Sequence, residues 1–263
     1  MLIFKDQLHR IIQIPTVPKR IVSLVPSQTE LLCDLGLEDA IVGITKFCVH
    51  PNHVLASKTI VGGTKQVHYN KIKALQPDII LCNKEENAKD MMHELERIAP
   101  VHISDIYTLD DSLELIKMYG DLFDVTDQSE KIITRIKKSK AEFEDFIALK
   151  PLKTVAYFIW KSPWMVAANH TFINYMLTLN KLENVFSKAQ RYPEINIETI
   201  KKVPDLVFLS SEPYPFKQDH IEEVETYFPD SKIILVDGEM FSWYGSRLIK
   251  AFDYFKDLNG MYY

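Results

Sequence analysis

The feature that most constrains this chain is a phrase that occurs twice. In the first half Gln76-Pro77-Asp78 leads into Ile79-Ile80-Leu81-Cys82; in the second, Val203-Pro204-Asp205 leads into Leu206-Val207-Phe208-Leu209. A short helical pattern precedes each copy, Asn70 to Leu75 and Glu198 to Lys202, and proline stops it. The unbroken apolar run that follows predicts a parallel strand covered on both faces. Each strand is followed at once by a loop, at Asn83 to Asn87 and Ser210 to Phe216. With the copies half a chain apart, the repeat is a duplicated domain and not a solenoid.

Neighbouring segments correspond as well. Arg20 to Val25 opens the first half as Thr154 to Trp160 opens the second. Val101 to Ile103 and Ile233 to Val236 then supply a further strand each, followed by helices at Asp110 to Tyr119 and Ser246 to Phe255. Within the first half, a helix follows Pro26: Ser27 or Thr29 can cap it, Glu30 lies in its first turn, and Leu31, Leu32 and Leu35 form its apolar face up to Gly36. Ala40 to Thr45 is a second short strand, and Met1 to Leu8 reads as the start of a folded strand.

Between the halves, Thr126 to Leu149 contains no Gly or Pro and carries an apolar stripe of Ile132, Ile133, Ile136, Phe143, Phe146 and Ile147. As a helix it would be ~36 Å long. A connector of this kind is stiff, unlike a Gly/Ser linker. The fold class expected is α/β, with two Rossmann-like lobes of mainly parallel sheet joined by one long helix. The expected boundaries are 1–120, 121–150 and 151–263.

Composition excludes several functions. The net charge is −5 with both signs interspersed, so no basic face marks a nucleic-acid partner. The locally basic tract Lys131 to Lys140 reads as a solvated helix face. No apolar run reaches membrane-spanning length. Cys33, Cys48 and Cys82 lack CxxC spacing and give neither a disulfide framework nor a zinc site. There is no Gly-x-Ser-x-Gly elbow, phosphate loop or His-Glu-x-x-His, and Gly62-Gly63-Thr64 suits a turn better than a dinucleotide site. No enzyme is expected, and no required cofactor or metal centre. The amino terminus has no export-signal pattern, which as written predicts a cytoplasmic protein.

Taken together, Arg20-Ile-Val-Ser-Leu-Val-Pro-Ser-Gln-Thr-Glu-Leu, Val42-Gly-Ile, Ile72 to Ile80, Glu183-Asn-Val-Phe and Gly245-Ser-Arg247 resemble the periplasmic substrate-binding proteins with a helical backbone (class III). Within that group the chain looks most like the cobalamin-binding proteins. The resemblance runs from Arg20 to about Phe255. It implies a monomer that captures cobalamin or another corrinoid, or a related iron chelate such as a ferric siderophore or haem, for an ABC transporter. It also implies a periplasmic location, against the missing signal.

In open α/β sheets ligands sit beyond the carboxyl ends of the strands, which for two facing lobes predicts a cleft. The loops expected there are unusually aromatic: Phe47 with His50, Trp160 to Trp164, Tyr192, Tyr214 with Phe216, and Phe241 to Tyr244. A bulky, largely apolar ligand fits them; a bare ion would need convergent His and carboxylates. By resemblance, Phe47 and Tyr192 take ligand-contacting aromatic positions, and Glu239-Met240-Phe241 matches an acid–aromatic–aromatic stretch with Met as a departure. Trp164 and Trp243 are further candidates, and Thr64 stands where the relatives have a tryptophan. His50 is a candidate axial ligand or a turn residue before Pro51, and Cys48 beside it suggests a soft-metal pair. Anionic siderophores would call on Arg191 and Arg247. Glu198 matches one transporter-docking acid; the other position is Asn70, with Glu85 and Glu86 nearby.

Overall fold

A computed structural model describes residues 1–263. The chain divides into two compact units: Met1–Lys137 with Trp243–Leu248, and Lys138–Ser242 with Ile249–Tyr263.

The first unit opens with a hairpin of β1 (Leu2–Lys5) and β2 (Ile11–Ile14), antiparallel with Leu2 opposite Ile14. Asp6 is fully buried in its turn, accepting from the amides of Leu8 and Arg10 at 3.0 and 2.9 Å. There follow β3 (Ile21–Ser23), α1 (Pro26–Asp34), β4 (Ile41–Ile44), α2 (Val54–Ser57), β5 (Thr59–Ile60), α3 (Tyr69–Ala74), β6 (Ile79–Asn83), α4 (Met91–Glu96), β7 (Val101–Ser104) and α5 (Leu109–Leu122). The five strands β3 to β7 are all parallel, in the order β5-β4-β3-β6-β7. Helix α1 begins at Pro26 with Val25 as its N-cap and no side-chain cap, so neither Ser27 nor Thr29 plays that part. Proline preset for the first helical turn does the work instead.

Helix α6 (Thr126–Ile147) is a continuous 22-residue helix, and the division between units falls inside it. Ile132, Ile136, Phe143 and Ile147 are buried, while Lys131, Arg135, Lys137 and Lys138 are exposed. Phe146, expected in the apolar stripe, is 39% exposed.

The second unit contains β8 (Lys153–Trp160), β9 (Met165–Val166), α7 (Phe172–Leu179), β10 (Leu182–Asn184), β11 (Leu206–Ser210), α8 (Gln218–Glu225), β12 (Lys232–Val236), α9 (Gly238–Ser242) and α10 (Leu248–Tyr262, from Ile249). Its sheet runs β10-β8-β11-β12, all parallel, with β9 antiparallel on β8. That order repeats β4-β3-β6-β7 of the first unit, strand for strand. Strands β6 and β11 are buried along their whole length, as apolar runs covered on both faces must be.

The Pro-Asp repeat has a physical cause. The carboxylate of Asp78 accepts from the amides of Lys19 and Arg20 at 2.8 and 2.9 Å, just before β3. The carboxylate of Asp205 accepts from the amide and hydroxyl of Thr154 at 2.6 and 2.7 Å, at the start of β8. In each unit the acid satisfies donors where the neighbouring strand begins, and so sets the register of the central pair.

Two expected helices differ. Glu198 to Lys202 forms only a 3-10 turn, Ile197–Thr199, with the Asn196 side chain accepting from the Glu198 amide at 3.0 Å. Only Ile197 is buried there, so an α-helix would have no apolar face to cover. The segment from Ser246 begins as a 3-10 turn (Gly245–Arg247) before α10.

Candidate functional site

The loops at the carboxyl ends of the strands carry the candidate residues in each unit. In the first, the loop after β4 turns Cys48 inward, where its thiol meets the hydroxyls of Thr29 and Thr45 at 3.1 and 3.3 Å. Burial pushes the Cys48 thiol pKa up, and Cys33 is pushed up to about 12 by burial and then by Glu38. While His50 packs on Trp243, Cys48 is thus turned into the core and held by two hydroxyls. Phe47, beside it, points outward: it is 48% exposed, with the Lys46 ammonium 5.0 Å from its ring centre.

After β5 the chain makes a miniature hairpin. Gly62 bridges to Val67, and the Gly63 amide donates to the Gln66 carbonyl at 2.7 Å. Phe47, Ile60, Thr64, Val67, Tyr69 and Met91 border a groove of about 850 Å³, with Lys46, Lys65 and Lys71 on its margin. After β6, Asn87 donates to the carbonyls of Leu24 and Thr64 at 3.2 and 2.9 Å, and the Asn83 carboxamide oxygen accepts from the amides of Glu85 and Glu86. The groove is therefore held by a rigid frame.

The six residues Trp243–Leu248 complete this unit from far along the chain. Arg247 donates to Glu30 at 2.7 Å, with 4% and 5% of the two residues exposed, and its guanidinium lies 4.8 Å over the Trp243 ring. The Trp243 ring also meets that of His50, 5.5 Å away and steeply inclined at 74°. Gly245 has φ +87°, which favours glycine, and donates to Ser112 at 2.9 Å. Gln28 joins the segment to the core: Tyr119 donates to its oxygen at 2.8 Å, while its nitrogen donates to Tyr244 and Ser104 at 2.9 and 2.7 Å. Arg247 thus braces this segment.

In the second unit the loop after β8 separates two tryptophans. Trp164, expected to face ligand, is half-buried: it stacks on Phe216 (6.1 Å, 9°) and meets Phe158 edge-on. Trp160 is the more open, at 38% exposure, with its ring edge-on to Tyr214 at 5.6 Å. His220 accepts from the Lys217 amide at Nδ1, so its neutral ring carries hydrogen on Nε2 and donates to the Tyr214 hydroxyl, 3.2 Å away. That leaves the Tyr214 proton to give.

Glu239 and Met240 are half-buried at the start of α9. Phe241, expected beside them at the surface, is fully buried among Tyr157, Phe208 and Phe255. The helical turn of α9 carries it to the opposite side from its neighbours. Gly238 lies so close to the end of β11 and the loop after it that a Cβ there would come 2.4 Å from the Ser210 hydroxyl and 2.6 Å from the Glu212 side chain. Tyr192 is half-buried and follows Arg191, whose φ is +61°. Trp160 and Tyr214 belong to the aromatic loops without further distinction in the sequence; Trp160 is open because it is the last residue of β8, past the continuously buried run Val155 to Ile159.

Glu198 is exposed on its turn, and Asn70 is exposed on α3. Among the described residues no three His, Cys, Asp or Glu side chains converge in a metal-holding group. No helix is long and apolar enough to cross a membrane.

A family model described as periplasmic binding protein matches residues 21–228. The chain is 23% identical over 258 residues to an uncharacterized ABC transporter substrate-binding lipoprotein, YvrC, of Bacillus subtilis (strain 168), covering 94% of this chain and 81% of that one. It is 22% identical over 243 residues to a vitamin B12-binding protein of Pectobacterium carotovorum, covering 89% and 86%. Among solved structures, a periplasmic heme-binding protein from Pseudomonas aeruginosa superposes with a TM-score of 0.81 at 21% identity, over 92% of each chain. At that identity the likeness speaks for the fold alone.

Proposed function

The chain belongs to the periplasmic binding protein family, and from that premise we propose that it captures a corrinoid, most simply cobalamin, for delivery to an ABC-type permease. It is a substrate-binding protein of ABC uptake and not an enzyme. The observation that carries the corrinoid reading is Phe47, a large ring held outward in a roomy groove that it lines together with Ile60, Val67, Tyr69 and Met91. An exposed aromatic on a rigid frame gains most from a broad flat partner. The kinship with a vitamin B12-binding protein supports the same choice.

Arg247 bears on the competing ligands. Anionic iron chelates need available cations, and Arg247 is committed to Glu30 in the buried pair. We therefore assign it a bracing role, which leaves the lysines of the groove as the cations an anionic chelate would meet. Haem is the second reading, favoured by Lys46, Lys65 and Lys71 at the groove margin, which suit its propionates. Among the other candidates, we retain Phe47, Tyr192, Glu239 and Met240 as ligand contacts and add Trp160 and Tyr214. His50, Trp164, Phe241 and Trp243 we read as packing residues. Glu198 is proposed as one permease contact, and we place the protein on the extracytoplasmic side of the membrane, where the family acts.

Equilibrium dialysis against cyanocobalamin, haemin and a ferric catecholate siderophore in separate chambers tests the proposal. Selective retention of cyanocobalamin is expected. Selective retention of haemin would replace it with the second reading, and retention of none would overturn both.

A further inference from the structure

At the amino ends of the second unit's strands, opposite to its candidate ligand loops, lies a surface of unusual make-up. Phe146, Leu149, Leu152, Met261 and Tyr263 are exposed at 39, 98, 65, 57 and 39%. Scattered exposed leucines need no explanation, but these side chains belong to one stretch of surface. The Lys150 ammonium lies 5.6 Å from the Phe146 ring and 5.1 Å from that of Tyr263, and Lys153 lies 5.4 Å from Tyr263. Tyr263 donates to the Pro151 carbonyl, Lys181 donates to the carbonyls of Ala148 and Lys150, and Lys232 donates to that of Met261. The end of α6, the start of β8, the residue before β10 and the end of α10 are thereby gathered around one apolar centre.

The rim of this patch is cationic. Lys150, Lys153, Lys181 and Lys232 surround it without a direct ion pair, although the Asp205 carboxylate acts electrostatically on Lys153 and Asp145 lies one turn back along α6. In a chain of net charge −5 such a grouping stands out. Projecting leucines, ring side chains that suit the headgroup level, and lysines that reach past them match the chemistry of an anionic lipid surface. We propose that this end of the second unit docks on anionic membrane lipid, leaving the loops at the opposite end of the strands clear for ligand.

The test is co-sedimentation of the full chain with phosphatidylcholine vesicles, and with vesicles containing roughly 30% phosphatidylglycerol, a charge density at which each lysine contributes measurably. Binding is expected only to the anionic vesicles, and it should weaken when salt is raised to about 0.5 M. The K150E/K153E variant should lose about tenfold or more in partitioning. L149S/L152S should lose a similar factor while its circular dichroism stays that of the parent. Equal binding to both vesicle types, no binding to either, or variants that bind like the parent would overturn the proposal. So would light scattering that shows a dimer dispersed by L149S/L152S, which would assign the patch to a second copy of the chain.

Discussion

The carboxylate of Asp205 takes both hydrogen bonds that Thr154 can give, from the amide at 2.6 Å and from the hydroxyl at 2.7 Å. These bonds hold its carboxyl below the usual carboxylate range. Asp78 serves Lys19 and Arg20 in the same way in the first unit. Asp205→Ala should cost about 1 kcal/mol of stability, measured by chemical denaturation. Because the folded pKa is depressed, that contribution is complete above the ordinary value near 3.8 and fades as pH falls through the lowered one. A neutral substitution with no loss would show that the Pro-Asp phrase does not hold the strand start.

The buried pair of Glu30 and Arg247 makes a sharper prediction. Arg247→Ala strands a buried carboxylate and should cost about 3–5 kcal/mol. Glu30→Leu combined with Arg247→Met replaces both charges by apolar groups and should cost much less than the single truncation. Denaturation of the three proteins in parallel measures the difference; a double variant as unstable as Arg247→Ala would contradict the bracing role.

His102 predicts an acid limb. It is 1% exposed on β7, edge-on to Tyr119, and neither ring nitrogen has a hydrogen-bond partner. Burial pushes its pKa down to about 4, with Asp6 opposing the shift and Arg10 adding to it. The unfolded chain takes up a proton near pH 6.5, while the folded chain does so only near 4. Stability is therefore full above about 6.5 and is lost as pH falls toward 4, by up to about 3 kcal/mol. His102→Leu should flatten that part of the stability–pH curve relative to the parent. An unchanged slope would refute the assignment.

Phe47 and Trp164 separate a surface aromatic from a packing one. Phe47→Ala removes a half-exposed ring and should leave stability within about 0.5 kcal/mol of the parent. Trp164→Ala breaks the stack on Phe216 and should cost about 2–3 kcal/mol. Thermal unfolding distinguishes them, and a reversed order would refute the placement of the two rings.

The architecture was legible because long-range order left local marks. Pro77-Asp78 and Pro204-Asp205 announce a strand by stopping what precedes it, and continuous apolar runs betray burial on two faces. The basic tract of α6 likewise showed its solvated side. The segment Trp243–Leu248 was not legible in this way. It follows α9 directly, yet its Arg247 finds its partner 217 positions away, and no local pattern tells which unit's core receives it. The candidate site was half legible for the same reason. Aromatic loops were plain from composition, but only the direction of each side chain separates the exposed Phe47 and Trp160 from the inward Trp164 and Phe241. The hairpin partner β2 escaped notice because its four residues alternate too briefly to mark a strand.

Calorimetric titration of the purified chain with cyanocobalamin tests the central claim most directly. Saturable one-to-one binding is predicted, at micromolar Kd or tighter and weakened about tenfold in Phe47→Ala. No heat and no saturation at micromolar protein, or equal binding by the parent and Phe47→Ala, would contradict it.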